Sequence, residues 1–235
     1  MGTLIGCAEE TPSDQRFVQL DALTSGFSFM NEIREDSVFN VLEFSNIYTG
    51  SGVGIGDLNN DGLPEVLMGG CMNSCGLFLN KGNLTFEDIT ESAGLTTDRW
   101  ITGISMIDIN QDGWLDIYLC VSGPSVSPRE NLLYINQGDL TFKEEAEAYG
   151  LNEAAQCTQA GFLDYDLDGD LDVMLVVNPT DYTIQNVNTV RRRKLNGEAA
   201  STDKFFRNDG NGHFTEVSRE AGILIEGYSL GVHTA

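Results

Sequence analysis

Residues 163–177 read LDYDLDGDLDVMLVV, and this stretch decides the fold. Five aspartates, Asp164, Asp166, Asp168, Asp170 and Asp172, occupy alternate positions, and the apolar run Val173 to Val177 follows at once. Like charges this close repel by about 4 kcal/mol per pair at about 4 Å and an effective dielectric of about 20. An apolar run so short, bounded by turn residues, reads as a buried strand. A chain that presses its densest negative charge against its core needs something to offset that charge.

The pattern is not isolated. Residues 57–65 (DLNNDGLPE), 108–116 (DINQDGWLD) and 164–172 (DYDLDGDLD) all read D-x-[DN]-x-D-G-x-x-[DE], with first aspartates 51 and 56 residues apart. A second motif follows each loop. LFLN (77–80), LYIN (133–136) and FFRN (205–208) each lead through a Gly turn into FEDITESAGL (86–95), FKEEAEAYGL (142–151) and FTEVSREAGI (214–223). The asparagines Asn80, Asn136 and Asn208 are 56 and then 72 residues apart, the longer interval reflecting an insertion at 179–204.

Within a repeat the local reading is all strand. Val53 to Gly56 and Glu65 to Gly69 flank the first acidic loop, and Gly76 to Asn80 and Leu84 to Ile89 flank a Gly turn as a hairpin. Thr90 to Gly94 is expected to form a short helical turn. Four short strands per repeat is the period of a propeller blade or a comparable all-β array. The expected fold is an all-β propeller of four-stranded blades: repeats at 51–99, 100–155 and 156–227, then the start of a fourth at 228–235. That start rests on the alignment of Gly231–Ala235 with Gly52–Gly56, and it makes the chain an expected N-terminal part of a longer protein, an incomplete ring. Residues 17–50, with Phe27, Phe29, Phe39, Val41, Phe44 and Tyr48, have strand character and are expected to pair with the last blade of a closed ring.

The chain of 235 residues carries 13 Lys+Arg against 36 Asp+Glu, a net charge of −23, with 41% hydrophobic residues. That composition supports a packed core rather than disorder. The acidic balance argues against nucleic acid and anionic membranes as partners and favours cations. No stretch reaches the roughly 18 apolar residues of a membrane span. Residues 1–16 read as a truncated lipoprotein signal and linker: Leu4-Ile5-Gly6-Cys7 resembles a bacterial lipobox with Cys7 as the lipidation site, but lacks the basic region and most of the apolar region of a full signal. Cys71 and Cys75, if extended, would lie about 13 Å apart, too far for a disulfide, although a turn between them leaves the pairing open. With 2 histidines and no second cysteine pair at zinc spacing, a zinc site is disfavoured, and Cys120 and Cys157 read as core residues.

Three readings of the acidic loops compete. A solvated turn explains one such loop but not three at the same spacing. An EF-hand requires a Glu at position twelve and flanking helices, whereas position twelve here is Met68, Leu119 and Leu175 and the flanks are β-type. The third reading is a calcium loop between two strands. Ca²⁺ takes six to eight oxygens, and alternate positions one, three and five of a tight loop converge. Gly62, Gly113 and Gly169 permit the bend, position seven offers a carbonyl and the carboxylate at nine closes the site. Mg²⁺, which prefers a small octahedral site with retained waters, fits less well.

The linked motifs resemble FG-GAP (VCBS-type) repeats, as in the integrin α-subunit propeller, over about Gly50 to Ala235. More narrowly the chain resembles bacterial surface lipoproteins related to the cartilage acidic protein group. The resemblance implies a multi-bladed propeller, usually of seven blades, with Ca²⁺ in the blade loops, about one per loop. Carried over residue by residue, the ligands would be Asp57, Asn59, Asp61, the Leu63 carbonyl and Glu65; then Asp108, Asn110, Asp112, the Trp114 carbonyl and Asp116; then Asp164, Asp166, Asp168, the Asp170 carbonyl and Asp172. Glu65 departs from the family's aspartate, and the Asp170 carboxylate is expected to face water.

The function expected is a non-enzymatic, calcium-binding scaffold for adhesion or binding of a protein or glycan. It would be a bacterial outer-membrane or cell-surface lipoprotein, or secreted, attached to the membrane only through a lipid on Cys7. The alternative is the non-catalytic propeller part of a larger polysaccharide-acting enzyme. No nucleophile is paired with a base, and His213 and His233 fall in a hairpin turn and an expected strand. The one basic run, Arg191 to Lys194, reads as a solvated loop.

Overall fold

Each acidic loop joins two short antiparallel strands and each Gly turn joins the next two, so the repeats fold as four-stranded meanders. The computed structural model describes residues 17–37, 39–42, 47–123, 129–178, 194–224, 226–227 and 229–233. Cys7 with its linker, Phe44, Arg191 to Arg193 and most of the insertion lie outside these residues. The first blade is β1 (Val53–Gly56), β2 (Glu65–Met68), β3 (Gly76–Asn80) and β4 (Phe86–Asp88). The second is β5 (Trp100–Ile107), β6 (Asp116–Ser122), β7 (Leu132–Asn136) and β8 (Phe142–Glu144). The third is β9 (Cys157–Leu163), β10 (Asp172–Val177), β11 (Lys204–Asn208) and β12 (Phe214–Glu216). In each sheet the strands pair in sequence order, all antiparallel. This is the all-β architecture of consecutive propeller blades, each beginning with its inner strand.

The blades pack face to face. Along β6 every residue is buried, because alternate side chains of a strand point to opposite faces and both faces of the second blade are covered. Ile117 and Leu119 meet Leu58, Leu67, Leu77 and Leu95 of the first repeat. Tyr118 and Cys120 meet Cys157, Val173, Leu175 and Phe206 of the third. By contrast β2 alternates buried with half-buried positions. Inner strands approach closely because β1 and β5 carry glycine at the contact. A Cβ on Gly54 would lie 2.7 Å from Ile104 Cγ2, and one on Gly103 would lie 3.1 Å from the Gln159 backbone. The second motif also serves packing: its Leu95 and Leu151 are fully buried, and Phe142 N–H donates to Ala93 O (3.0 Å), tying blade two to blade one.

The helical turn expected after the outer strand is present at 90–94, and in the second repeat it is the short helix α2 (Ala146–Tyr149), closed by left-handed Gly150. The strand expected within 17–50 is not found among the described residues. That segment instead forms the one-turn helix α1 (Ala22–Ser25), capped by Asp21, followed by irregular chain. Its aromatic residues dock on side chains rather than pair in a sheet: the Phe27 ring lies tilted 4.3 Å from Phe78 and edge-on 5.2 Å from Phe86, and Phe39 lies 5.5 Å from Trp100. Residues 231–233, including His233, are likewise not a strand. They lie along β9, with Val232 N–H donating to Gln159 Oε1 (3.3 Å). Cys71 and Cys75 are buried free thiols, not a disulfide.

Candidate metal centres

The three acidic loops follow the inner strands and lie side by side at one end of the array. In each, burial is graded. The first-position aspartates Asp57, Asp108 and Asp164 are half-buried, the fifth-position aspartates Asp61, Asp112 and Asp168 are exposed, and the ninth-position acids Glu65, Asp116 and Asp172 are fully buried. The turn is made by left-handed glycines, Gly62 (φ 87), Gly113 (φ 90) and Gly169 (φ 98), which a side chain would strain.

The ninth-position carboxylate closes each loop. Asp116 accepts from Ile109 N–H (3.2 Å) and from Asn136 N–H (2.8 Å). Asp172 accepts from Tyr165 N–H (2.8 Å) and Asn208 N–H (2.9 Å), and Glu65 from Leu58 N–H (2.8 Å) and Asn80 N–H (3.4 Å). The longer Glu65 thus keeps the same two partners. Burial pushes all three acids above the usual carboxylate range, Asp116 to about 6, against the lowering effect of those N–H donors. The asparagines ending β3, β7 and β11 are therefore site residues. Asn136 also donates to Leu115 O (3.0 Å) and, across the blade boundary, to Leu58 O (2.9 Å). Their recurrence is visible in the sequence, but their role is not, because they lie 15 to 36 residues from the acid they hold.

The first and second loops are tied by their own backbone. Asp57 accepts from Asp61 and Gly62 N–H (3.1 and 2.8 Å), and Asp108 from Asp112 and Gly113 N–H (3.0 and 2.9 Å). Asn59 and Asn110 donate to Asp61 and Asp112 (both 2.9 Å). The third loop differs. Asp164, Asp166 and Asp172 bring carboxylate oxygens within 4.8 Å of one another, the one such acidic, His or Cys set among the described residues. Asp164 Oδ1 is buried with no hydrogen-bond partner. Asp168 lies outside the triad and accepts from Asp170 N–H (3.1 Å).

The Asp170 carboxylate is only partly turned to water, on a half-buried residue. Its Oδ1 is buried and unpartnered, and the side chain lines a cavity of 260 Å³ with Asn110, Gln111, Tyr149, Asn208 and Gly210. Burial first, then the neighbouring Asp168 charge, raises its pKa to about 6. The donor set is all oxygen, dense in carboxylate, with the buried Asp164 Oδ1 left unpaired. That chemistry fits a hard divalent cation and no soft metal.

Loops of this design on consecutive blades define a repeat propeller with candidate cation sites between its strands. Residues 57–119 match the FG-GAP-like repeat family, which supports an FG-GAP-type repeat protein. No curated protein matches it.

Proposed function

We propose that the protein is a calcium-binding, non-catalytic propeller scaffold that presents its surface to a protein or glycan ligand. The observation that carries the calcium reading is the third loop, where three carboxylates converge and a buried Asp164 oxygen has no partner. Asp164, Asp166, Asp168, the Asp170 carbonyl and Asp172 would hold the ion there. Asp57, Asn59, Asp61, the Leu63 carbonyl and Glu65, and Asp108, Asn110, Asp112, the Trp114 carbonyl and Asp116, would hold it in the other loops. The ion would offset carboxylate repulsion and lock each loop; no chemical step is assigned to it. His213 supports the non-catalytic reading: it is exposed in a hairpin turn with its ring nitrogen 3.4 Å from Ala148 O.

Thermal melts of the full chain in calcium and in chelator test this. A cation at about 100 times its Kd stabilises by about 2.7 kcal/mol per site, so a clear rise in Tm is expected, reduced in Asp164→Asn. Identical melts in both conditions would overturn it. Placement at the cell surface, with Cys7 lipidated, is the further part of the proposal, supported by the lipobox resemblance. Protease treatment of intact cells should degrade the protein; full protection would count against surface placement.

A further inference from the structure

We infer that Asn60 and Gln111, at the fourth position of their loops, are positioning residues for the cation site of the next blade, so that adjacent loops bind cations cooperatively. The inference rests on the calcium reading above. Asn60 Nδ2 donates to Gly113 O (3.0 Å) in the second loop, and Gln111 Nε2 donates to Gly169 O (2.8 Å) in the third. Each of those carbonyls belongs to a peptide whose other end is also held. Trp114 N–H donates to Asp112 Oδ1 (2.9 Å), and Asp170 N–H donates to Asp168 Oδ1 (3.1 Å). A peptide unit is planar, so fixing its carbonyl fixes the direction of its N–H. Donation to the carbonyl also polarises that N–H. The fourth-position amide of one blade therefore aims the fifth-position carboxylate of the next.

The donors are themselves set by their own loops. Asn60 and Gln111 hold left-handed backbone (φ 57 and 59), which is uncommon outside glycine, between the third and fifth ligand positions. A cation that fixes positions three and five fixes the residue between them, and with it the reach of its amide. Leu167 has the same left-handed position (φ 63) but is 85% exposed and has no donor. The relay thus runs from blade one through blade two into blade three and has no donor at the third loop.

The second loop carries its own reporter. Trp114 is at its seventh position, while the only other tryptophan, Trp100, begins β5 at the opposite end of that strand. Terbium luminescence excited at the red edge of tryptophan absorption, titrated on the full chain, reports that loop. Asn60→Gly removes the donor at a backbone position glycine favours, so the fold is retained. It should weaken terbium binding at the second loop by about 2- to 10-fold, the range for one lost hydrogen bond. Asn60→Gln should restore binding, since Gln111 makes the same contact. Asp57→Asn, which weakens the first site, should lower second-loop affinity in the parent chain but not in the Asn60→Gly background. An unchanged titration in Asn60→Gly, or an equal Asp57→Asn effect in both backgrounds, overturns the coupling alone. Absence of saturable terbium or calcium binding in the parent chain overturns the calcium reading and the coupling with it.

Discussion

Asp116 and Asp170 show what the loops cost without a cation. Burial holds both near a pKa of about 6, and for Asp170 the adjacent Asp168 charge adds to it. Their pKa values are raised above those of the unfolded chain, so the native state keeps protons that the unfolded chain releases. Their contribution to stability is therefore present below about pH 4 and is lost as pH rises to about 6. In chelator, the urea midpoint should be higher at pH 5 than at pH 7. In calcium the order should reverse, because protons and cation compete for the ninth-position carboxylates such as Asp116; a metal-free midpoint that rises with pH would contradict this. The acidic positions of the loops were legible because the spacing recurs. The burial of Asp170 was not, because the Gly210 hairpin and the Asn110 to Gln111 corner that cover it come from distant parts of the chain.

At the scale of elements, glycine on the inner strands decides how close the blades come. Gly54→Val would drive a side chain into Ile104 and Met106 and should destabilise the protein by about 1–3 kcal/mol, read by urea denaturation. Gly62→Ala is the control, since a Cβ there meets nothing within 4 Å and only the left-handed backbone (φ 87) is strained, at about 1–2 kcal/mol. Cysteine accessibility separates the two: the blade-interface thiol of Cys75 should become reactive in Gly54→Val and stay protected in Gly62→Ala. Strand positions within the repeats were readable from short apolar runs between turn residues. The segment 17–50 was not, since an extended chain that docks aromatic side chains has the same local pattern as a strand. Phe27 finds Phe78 and Phe86 through packing, without sheet pairing.

For the whole molecule, 11 of the 36 Asp and Glu residues stand in the three nine-residue loops, which the Asn60 and Gln111 contacts set edge to edge. Solvent screens the exposed fifth-position acids, but not the ninth-position acids, which are fully buried. Backbone N–H groups offset part of that charge, and the unpaired oxygens of Asp164 and Asp170 mark where they do not. The sequence by itself determined the repeat, the four strands within it, the turn glycines and the spacing of the acids, because these are local and periodic properties of the chain. The tertiary structure alone settles which asparagine holds which acid and which side chain crosses to the next blade. Those depend on contacts between residues 15 to 78 positions apart; the asparagines recur in the sequence, but the acids they hold are fixed by strand pairing and blade packing.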